Sequence, residues 1–389
     1  MLIEIHLIQN FAPANLNRDD SGMPKDCEFG GFRRARISSQ CLKSNIRKSK
    51  AFAARVEAGF RTKRVVNVIQ DILTNDYSFQ ENDALVLSKS IAKSVTNKID
   101  EKDNKTQYLY YTDKDELKGI IEEFIKIQEE NAELKNLIGI ASNSETKPKA
   151  LKDAESKIDT ETEKALSKYL KVNAHKINSI DIALFGRMLA DQPSMKIDAA
   201  CQVAHAISTN KVSMDFDYFT AIDDLNPEEE TGAGMIGNLG FNSSCFYRYA
   251  SLDVNKLMSN ISNKKEQAIL GILGYLEGTV EAVPTGKQTS FAANNPPAYV
   301  LVTISENNMP VSLANAFEKP VMPTSKLSLS EKSTQKLLEY FNQIKTLYDL
   351  NYVKEFEFGL KVDTEANIFP ASSFKEMNNK IEEYLNQTL

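Results

Sequence analysis

The clearest chemical signal in the sequence is a concentration of positive charge near the amino terminus. Residues 1–64 contain 13 Lys or Arg against 6 Asp or Glu, a net charge of +7, whereas the whole chain of 389 residues carries −6. Lys43, Arg47 and Lys50 recur three or four residues apart, which places them on one face of a helix. Such a face would attract phosphate groups, and the alternative is a solvated basic helix. This segment is therefore the first candidate for a nucleic-acid contact.

Other patterns that could support chemistry are weaker. Cys201 and His205 lie four residues apart on a predicted helix, but two ligands do not make a metal site, and a packed core pair is expected. Residues 232–237 fit GxGxxG, yet they do not join a strand to a helix as a dinucleotide site requires. Acidic pairs such as Asp19 with Asp20 are expected to be solvated turn residues rather than magnesium ligands. The sequence therefore predicts no metal, no cofactor and no catalytic residue.

The composition is typical of a soluble globular protein, with 42% hydrophobic and 26% charged residues. No apolar stretch approaches the roughly 18 residues that a membrane helix needs. The start of the sequence lacks the features of a secretion signal, so a cytoplasmic location is expected. The four cysteines are scattered, which predicts reduced thiols rather than a disulfide framework.

The elements that would position the basic residues begin with two strands and a helix. Residues 2–8 predict a buried strand and residues 32–37 predict a short basic strand. Ser38 and Ser39 offer N-cap oxygens to a helix that is expected to end just before Gly59. The buried stripe of this helix is expected to comprise Leu42, Ile46, Ala53 and Val56.

The rest of the chain mixes helices and strands. Residues 65–175 predict a highly charged and predominantly helical block, residues 180–184 a core strand, and residues 197–207 a helix. Residues 211–241 predict a long exposed hairpin, and two helices with capping boxes close the chain. Strands and helices from both ends of the sequence favour an α+β body with insertions.

Residues 16–43 carry a resemblance to a known family. They contain LNRDD at 16–20, KD at 25–26, FGG at 29–31 and RRARISSQCLK at 33–43. In this order and spacing they closely resemble the N-terminal signature of the CasC-type backbone subunits of the type I-E CRISPR Cascade complex. Further resemblance is found at 181–184, 186–188, 204–207, 219–221, 246–250 and 313–319. The likeness is weakest between residues 65 and 175.

The resemblance implies an RRM-like (ferredoxin-like) palm with an inserted helical fingers domain and a β-hairpin thumb. It implies the boundaries 1–60, 179–210 and 242–389 for the palm, 61–178 for the fingers and 211–241 for the thumb. Copies would stack head to tail along one guide crRNA, together with other Cascade subunits, and the guide would pair with target DNA. Because the guide's sequence varies while its phosphates do not, such a subunit must bind the sugar-phosphate backbone.

The resemblance also assigns individual residues to RNA contact. Lysine, arginine, serine and glutamine side chains are donors that tolerate any base, a methionine can wedge against bases, and two thumb residues would press between them. The residues so assigned are Arg18, Lys25, Ser38, Gln40, Lys43, Arg47, Met188, Thr220 and Ile236. The structural alternatives are that Ser38 only caps the helix, that Arg47 is solvated and that Met188 packs in a strand.

Two other functions compete with this hypothesis. CRISPR systems also use RRM-like folds as endoribonucleases that process precursor RNA, and such an enzyme needs a positioned general acid and base. Only His6 lies near the basic segment, on a predicted core strand, which is weak support. The third possibility is a general single-strand binder that coats any RNA without partner subunits.

Overall fold

The computed structural model describes the chain except at residues 97, 101–102, 144, 174–178, 189–194, 222–234 and 360–368. The strands are β1 (Leu2–Ala14), β2 (Asp26–Phe29), β3 (Phe32–Ile37), β4 (Phe60–Thr62), β5 (Ile99–Asp100), β6 (Lys105–Thr106), β7 (Tyr110–Thr112), β8 (Cys201–Val203), β9 (Ala206–Ser208), β10 (Asp215–Ala221), β11 (Met235–Asp253), β12 (Tyr299–Ser305), β13 (Lys354–Gly359) and β14 (Phe369–Pro370). The helices are α1 (Ser39–Lys48), α2 (Lys50–Arg55), α3 (Val65–Asn75), α4 (Glu81–Thr96), α5 (Lys114–Glu130), α6 (Ala132–Ser142), α7 (Pro148–Asn173), α8 (Ile180–Phe185), α9 (Val254–Asn260), α10 (Lys265–Glu281), α11 (Gln288–Phe291), α12 (Leu329–Leu347) and α13 (Phe374–Thr388), with a 3₁₀ helix at Ala314–Phe317. No helix in the described part of the chain is both long enough and apolar enough to span a membrane.

The chain divides into two compact units. The first comprises Met1–Arg55, Cys201–Asn255 and Ile269–Leu389. The second comprises Val56–Ala200 and Lys256–Ala268.

The first unit is built on one large sheet. Its strands lie in the order β14-β13-β12-β1-β11-β9-β3-β2, and β8 and β10 also pair with β11. The central strands run antiparallel. In chain order, β1, α1, β9, β11, α10 and β12 form a βαββαβ unit with strand order 4-1-3-2, the ferredoxin-like topology of RRM folds. The prediction of an α+β fold with an RRM-like palm is thereby confirmed.

Strand β1 shows why the centre of this sheet is covered on both sides. Successive side chains of a strand point to opposite faces, and Ile5, His6, Leu7 and Ile8 are all at most 1% exposed. Ile8 belongs to a core cluster with residues of α12 such as Phe341. Burial of each large apolar side chain contributes roughly 1.5–3 kcal/mol. The sheet is therefore a rigid base for the segments attached to it.

The second unit is mainly helical. Helices α3 to α7 enclose a core whose fully buried side chains include Ile69, Leu87, Ile91, Phe124 and Leu166. Two small antiparallel ladders, β4 with β7 and β5 with β6, accompany the helices.

The helix predicted to end before Gly59 is interrupted. α1 ends at Lys48, and the hydroxyl of Ser49 donates to the Ile46 carbonyl at 2.8 Å while accepting from the Phe52 amide at 3.1 Å. These bonds satisfy backbone groups locally and favour a turn over a continuous helix. In α2, Phe52 is buried, whereas Ala53, expected in the buried stripe, is exposed.

Two further predictions were wrong. The strand expected at 180–184 is helix α8, because a short run that is apolar on all sides does not distinguish a strand from a buried helix. The helix expected over 197–207 is instead strands β8 and β9, both paired with β11. Cys201 is buried in β8 and His205 is exposed in the next loop, so the two neither share a helix face nor form a packed core pair.

Candidate nucleic-acid interface

Helix α1 presents a polar stripe and a buried stripe on different sides. Gln40, Lys43 and Arg47 follow one another at three- and four-residue spacing and share one side of the helix. Leu42 and Ile46 are buried on another side. Gln40 is exposed, and Lys43 and Arg47 are half-buried, as expected of long side chains whose stems lie along the protein. The three predicted contacts therefore lie on one accessible face.

Ser38 starts this helix. Its backbone is extended, its hydroxyl accepts from the Cys41 amide at 3.3 Å, and its own amide donates to the Asn17 side chain at 2.9 Å. The residue is only 5% exposed. The side chain thus has the capping role that its type and position predict, and a contact with RNA stays a prediction.

The loop before β2 holds two more of the predicted residues. Arg18 forms an antiparallel bridge with Pro24, directly before Lys25. The carboxylate of Asp19 accepts from the Ser21 hydroxyl at 2.7 Å, a bond that lowers the pKa of Asp19. Among the described residues, neither Arg18 nor Lys25 forms an ion pair. In this loop Asp19 is therefore occupied internally, Asp20 is exposed, and the two cations remain available.

The arginines of β3 have structural partners instead. Arg33 pairs with Asp26 at 2.6 Å. Arg34 is fully buried, and its guanidinium donates to four backbone carbonyls at 2.7–3.0 Å, those of Ser208, Thr209, Phe317 and Glu318. Arg33 and Arg34, which contribute to the positive charge counted in the sequence, are therefore bound to protein groups and hold β3 to its neighbours.

His205 is a residue of this surface that sequence reasoning missed. It is exposed, and its Nδ1 lies 3.0 Å from a guanidinium nitrogen of Arg36. Partial burial, together with the nearby charges of Arg36 and Lys25, lowers the pKa of His205 below its ordinary value. Burial is the larger cause of the shift, and the two cations add to it because the positive potential they create disfavours a protonated imidazole. That potential suits an anionic ligand.

Met188 lies in the second unit, and the backbone of the two residues before it is held by close packing and hydrogen bonds. Gly186 has φ +78, and an added Cβ would lie 2.9–3.1 Å from atoms of Ile197 and Ala199. Arg187 is hydrogen-bonded to Ile197 through both backbone groups, and its buried guanidinium donates to both carboxylate oxygens of Glu116 at 2.7–2.8 Å. Met188 itself is 84% exposed, so it does not pack in a strand.

The predicted thumb is partly described. β10 and the first half of β11 form an antiparallel ribbon in which Thr220 is paired with Ile236. Thr220 is exposed. The side chain of Ile236 and the connection 222–234 lie outside the described residues. The contacts predicted for Thr220 and Ile236 therefore stay predictions.

The structure gives little support to the metal site and the dinucleotide motif considered in the sequence. Among the described residues, no group of three or more His, Cys, Asp or Glu side chains could hold a metal ion. The described end of the GxGxxG match, from Met235 to Gly237, belongs to β11 and does not begin a helix. Helix α7 carries several lysines, of which Lys164 pairs with Glu161 at 2.8 Å.

His6 is enclosed in the core of the first unit. It is 1% exposed, its Nδ1 lies 2.8 Å from the Tyr247 hydroxyl, and its ring lies 5.2 Å from that of Tyr249. Burial lowers the pKa of His6 to about 3. A neutral imidazole inside the sheet cannot reach a phosphodiester, so the one residue that supported an endoribonuclease gives that function no support.

Comparisons with known proteins agree on the kind of molecule. Residues 3–387 match the family described as CT1975-like protein. The fold is similar to that of a chain in a structure titled "CRISPR RNA-guided surveillance complex, pre-nicking", with a TM-score of 0.79, 25% identity, and coverage of 99% of this chain and 100% of that chain. A chain in a second structure, titled "CRISPR RNA-guided surveillance complex", has a TM-score of 0.60, 21% identity and 99% coverage of both chains. The comparison with curated proteins yields no significant match.

Proposed function

We propose, because the chain belongs to the CT1975-like protein family, that it acts in CRISPR antiviral defence as the repeating backbone subunit of a type I-E Cascade complex. In this role it binds the sugar-phosphate backbone of the guide crRNA without regard to sequence. It presents the guide in short segments for pairing with target DNA, so that base pairing reads the sequence while the protein reads the shape. The proposal extends to the type I-E assignment, which rests on the motifs between residues 16 and 43.

The observation that carries the proposal is the set of accessible cations and amides around the start of α1. Gln40, Lys43 and Arg47 share one face of the helix, and Arg18 and Lys25 lie on a loop in which Asp19 is occupied by internal hydrogen bonds. Charge-assisted donors bind phosphates of any sequence, and neutral donors can serve sugar hydroxyls. This surface offers affinity without base readout, as a variable guide requires.

The proposed partners follow from the role. Neighbouring copies would stack head to tail along the guide, through an interface whose rotation does not close and which therefore generates a helical filament. Other Cascade subunits would set its length. The complex would act in the cytoplasm, with no membrane partner.

The proposal includes no catalytic step for this subunit. A general acid–base mechanism on RNA needs a titratable group within hydrogen-bond reach of the substrate. The histidine nearest the basic segment in sequence is buried, and partial burial together with the charges of Arg36 and Lys25 lowers the pKa of the exposed His205, which disfavours the protonated imidazole that a general acid requires. We therefore propose that the RNA is held and not cut.

The test is guide-RNA binding by a charge-reversed double variant, Arg18→Glu with Lys43→Glu. Each phosphate contact to a single strand contributes about 0.7 to the slope of log K against log salt, so the variant should lose at least about 1.4 from the slope. The matched control is Lys48→Glu, which reverses an exposed cation on another side of the same helix and should change the slope little. Unchanged guide retention and an unchanged slope in the double variant would refute the proposal.

A nuclease assay separates the alternatives. Labelled precursor RNA incubated with the purified protein should be protected at regular spacing and remain uncut. Site-specific cuts would instead favour the endoribonuclease, and sequencing of co-purified RNA with no enrichment of guides would favour a general single-strand binder.

A further inference from the structure

One asparagine joins the loop before β2, residues 16–25, to the start of helix α1. The side-chain Oδ1 of Asn17 accepts from the Ser38 amide at 2.9 Å. The carbonyl oxygen of Asn17 accepts from the Lys25 amide at 2.8 Å. Asn17 is therefore bonded through its side chain to the residue that starts the helix, and through its backbone to a predicted phosphate contact of the loop.

Other bonds maintain the shape of this loop. Arg18 forms an antiparallel bridge with Pro24. The side-chain amide of Asn15 donates to the carbonyls of Gly22 and Gly240, both at 3.0 Å, and so holds the loop against β11. These bonds fix the conformation of the loop and its place beside β11, but they do not involve α1.

The bond between Asn17 and Ser38 lies in a protected place. Ser38 is only 5% exposed, so water does not readily replace the asparagine as an acceptor for its amide. An amide oxygen is also a neutral acceptor. A carboxylate here would satisfy the Ser38 amide but would add a negative charge beside the cations that are proposed to bind phosphate.

This bond brings together the two parts of the candidate interface. Arg18 and Lys25 belong to the loop, whereas Ser38 directly precedes the helix that carries Gln40 and Lys43. A strand that is held by one group of donors meets the second group at a high effective concentration only when the distance between the groups is fixed. A fixed distance also spares the cost of ordering the loop when RNA binds.

We propose that Asn17 is a positioning residue for RNA binding. Its bond to Ser38 holds the loop against the start of α1, so that Arg18 and Lys25 contact the same RNA strand as the donors of the helix. The inference rests on the proposed function and deepens it, because it gives a role to a residue of the LNRDD motif for which the resemblance implies no contact with RNA.

The experiment measures the slope of log K against log salt for a single-stranded RNA of guide sequence and the full-length chain. Asn17→Leu removes the acceptor at similar size, and the slope should fall by about 1.4, the contribution of the contacts of Arg18 and Lys25. The matched control is Asn45→Leu, because the Asn45 amide donates to the Cys41 carbonyl within α1 at 2.7 Å. This control should keep the native slope.

The slope separates positioning from a general loss of stability. A variant that only destabilises the fold would lower the free energy of unfolding, but its phosphate contacts would form again in the complex and the slope would be native. A native slope for Asn17→Leu would therefore overturn the proposal, whatever its stability.

The same bond can be removed from its other end. Ser38 has φ −72, which proline adopts, and proline has no amide hydrogen. Ser38→Pro and Ser38→Ala both lack the hydroxyl, but only Ser38→Pro loses the bond to Asn17. Ser38→Pro should therefore lower the slope by about 1.4 relative to Ser38→Ala, and adding Asn17→Leu should lower it no further. Equal slopes for the proline and alanine variants would contradict the proposal.

The outcome for Asn17 is distinguishable from the fate of the proposed function. If Arg18→Glu with Lys43→Glu lowers the slope and Asn17→Leu does not, the cationic surface binds RNA and only the positioning role is refuted. If neither variant changes the slope, both proposals are refuted.

Discussion

The ion pair between Arg187 and Glu116 is expected to be worth far more than a surface pair. The side chain of Arg187 is fully buried, and that of Glu116 is 20% exposed. Glu116 accepts two hydrogen bonds from the guanidinium and a third from the Thr112 hydroxyl at 2.6 Å. Glu116→Ala leaves a buried cation without its counter-charge, a defect that typically costs 3–5 kcal/mol. The loss should fall on the segment that presents Met188.

Hydrogen exchange measures this loss where it occurs. The amides of Arg187 and Ile197 are bonded to each other's carbonyls at 2.8–2.9 Å, and their protection reports local opening. A cost of 3 kcal/mol corresponds to roughly a 150-fold rise in their exchange rates. The matched control is Asp76→Ala, which breaks the pair with Lys118 on the same helix as Glu116. Both of its members are about two-fifths exposed, so the expected cost is roughly 0–1 kcal/mol.

A double variant tests whether the uncompensated charge of Arg187 causes the rise in exchange rates. Glu116→Leu with Arg187→Met removes both charges, and a well-packed apolar replacement should recover much of the protection. If Glu116→Ala raised exchange no more than Asp76→Ala does, the guanidinium would have to be solvated in solution, and the reasoning from its burial would be refuted.

Three further predictions concern single residues. Because burial lowers the native pKa of His6 from 6.5 to about 3, the unfolded chain takes up this proton first as pH falls. Stability should drop by about 2 kcal/mol between pH 7.5 and 5.0 in urea titrations, and His6→Phe should remove that component. Ser38→Ala should lower the free energy of unfolding by about 0.5–2 kcal/mol through loss of the cap. The slope of log K for RNA binding against log salt should change by less than the contribution of one phosphate contact. Gly186→Ala should raise exchange at Ile197, because a Cβ there is strained at positive φ and meets backbone; native-like exchange would contradict this geometry.

Local signals in the sequence correctly predicted the start of helix α1 and the sides of the helix on which its residues lie. Ser38 caps α1, Leu42 and Ile46 are buried, and Lys43 lies on a different side. All three results follow from helix periodicity and capping chemistry, which act within a few residues. Of the two helices expected to close the chain with capping boxes, α12 has a complete box between Ser328 and Glu331, whereas before α13 the Glu376 carboxylate accepts from Ser372 instead of from the N-cap amide.

The errors arose where distant partners decide the outcome. Residues 201–208 became strands because β11 offers them a ladder more than thirty residues later in the chain. Which arginines of the basic segment would be buried could not be predicted either. The carbonyls that bind Arg34 come from as far away as Glu318. Phe216 and Tyr218 look like ordinary core residues of a strand in the sequence, yet both are exposed on the ribbon.

Strand β11 runs for 19 residues without a break, from the ribbon into the centre of the sheet. Its partner changes along the way, from β10 up to Phe241 to β1 from Asn242 onward. At about 3.3 Å per residue it is roughly 60 Å long. The direction of the ribbon is thus set by strands packed deep in the protein. A mutation that rotates β1 by a few degrees would swing the outer end of β11 through several ångströms, so substitutions in the core could change where the outer end of the ribbon lies.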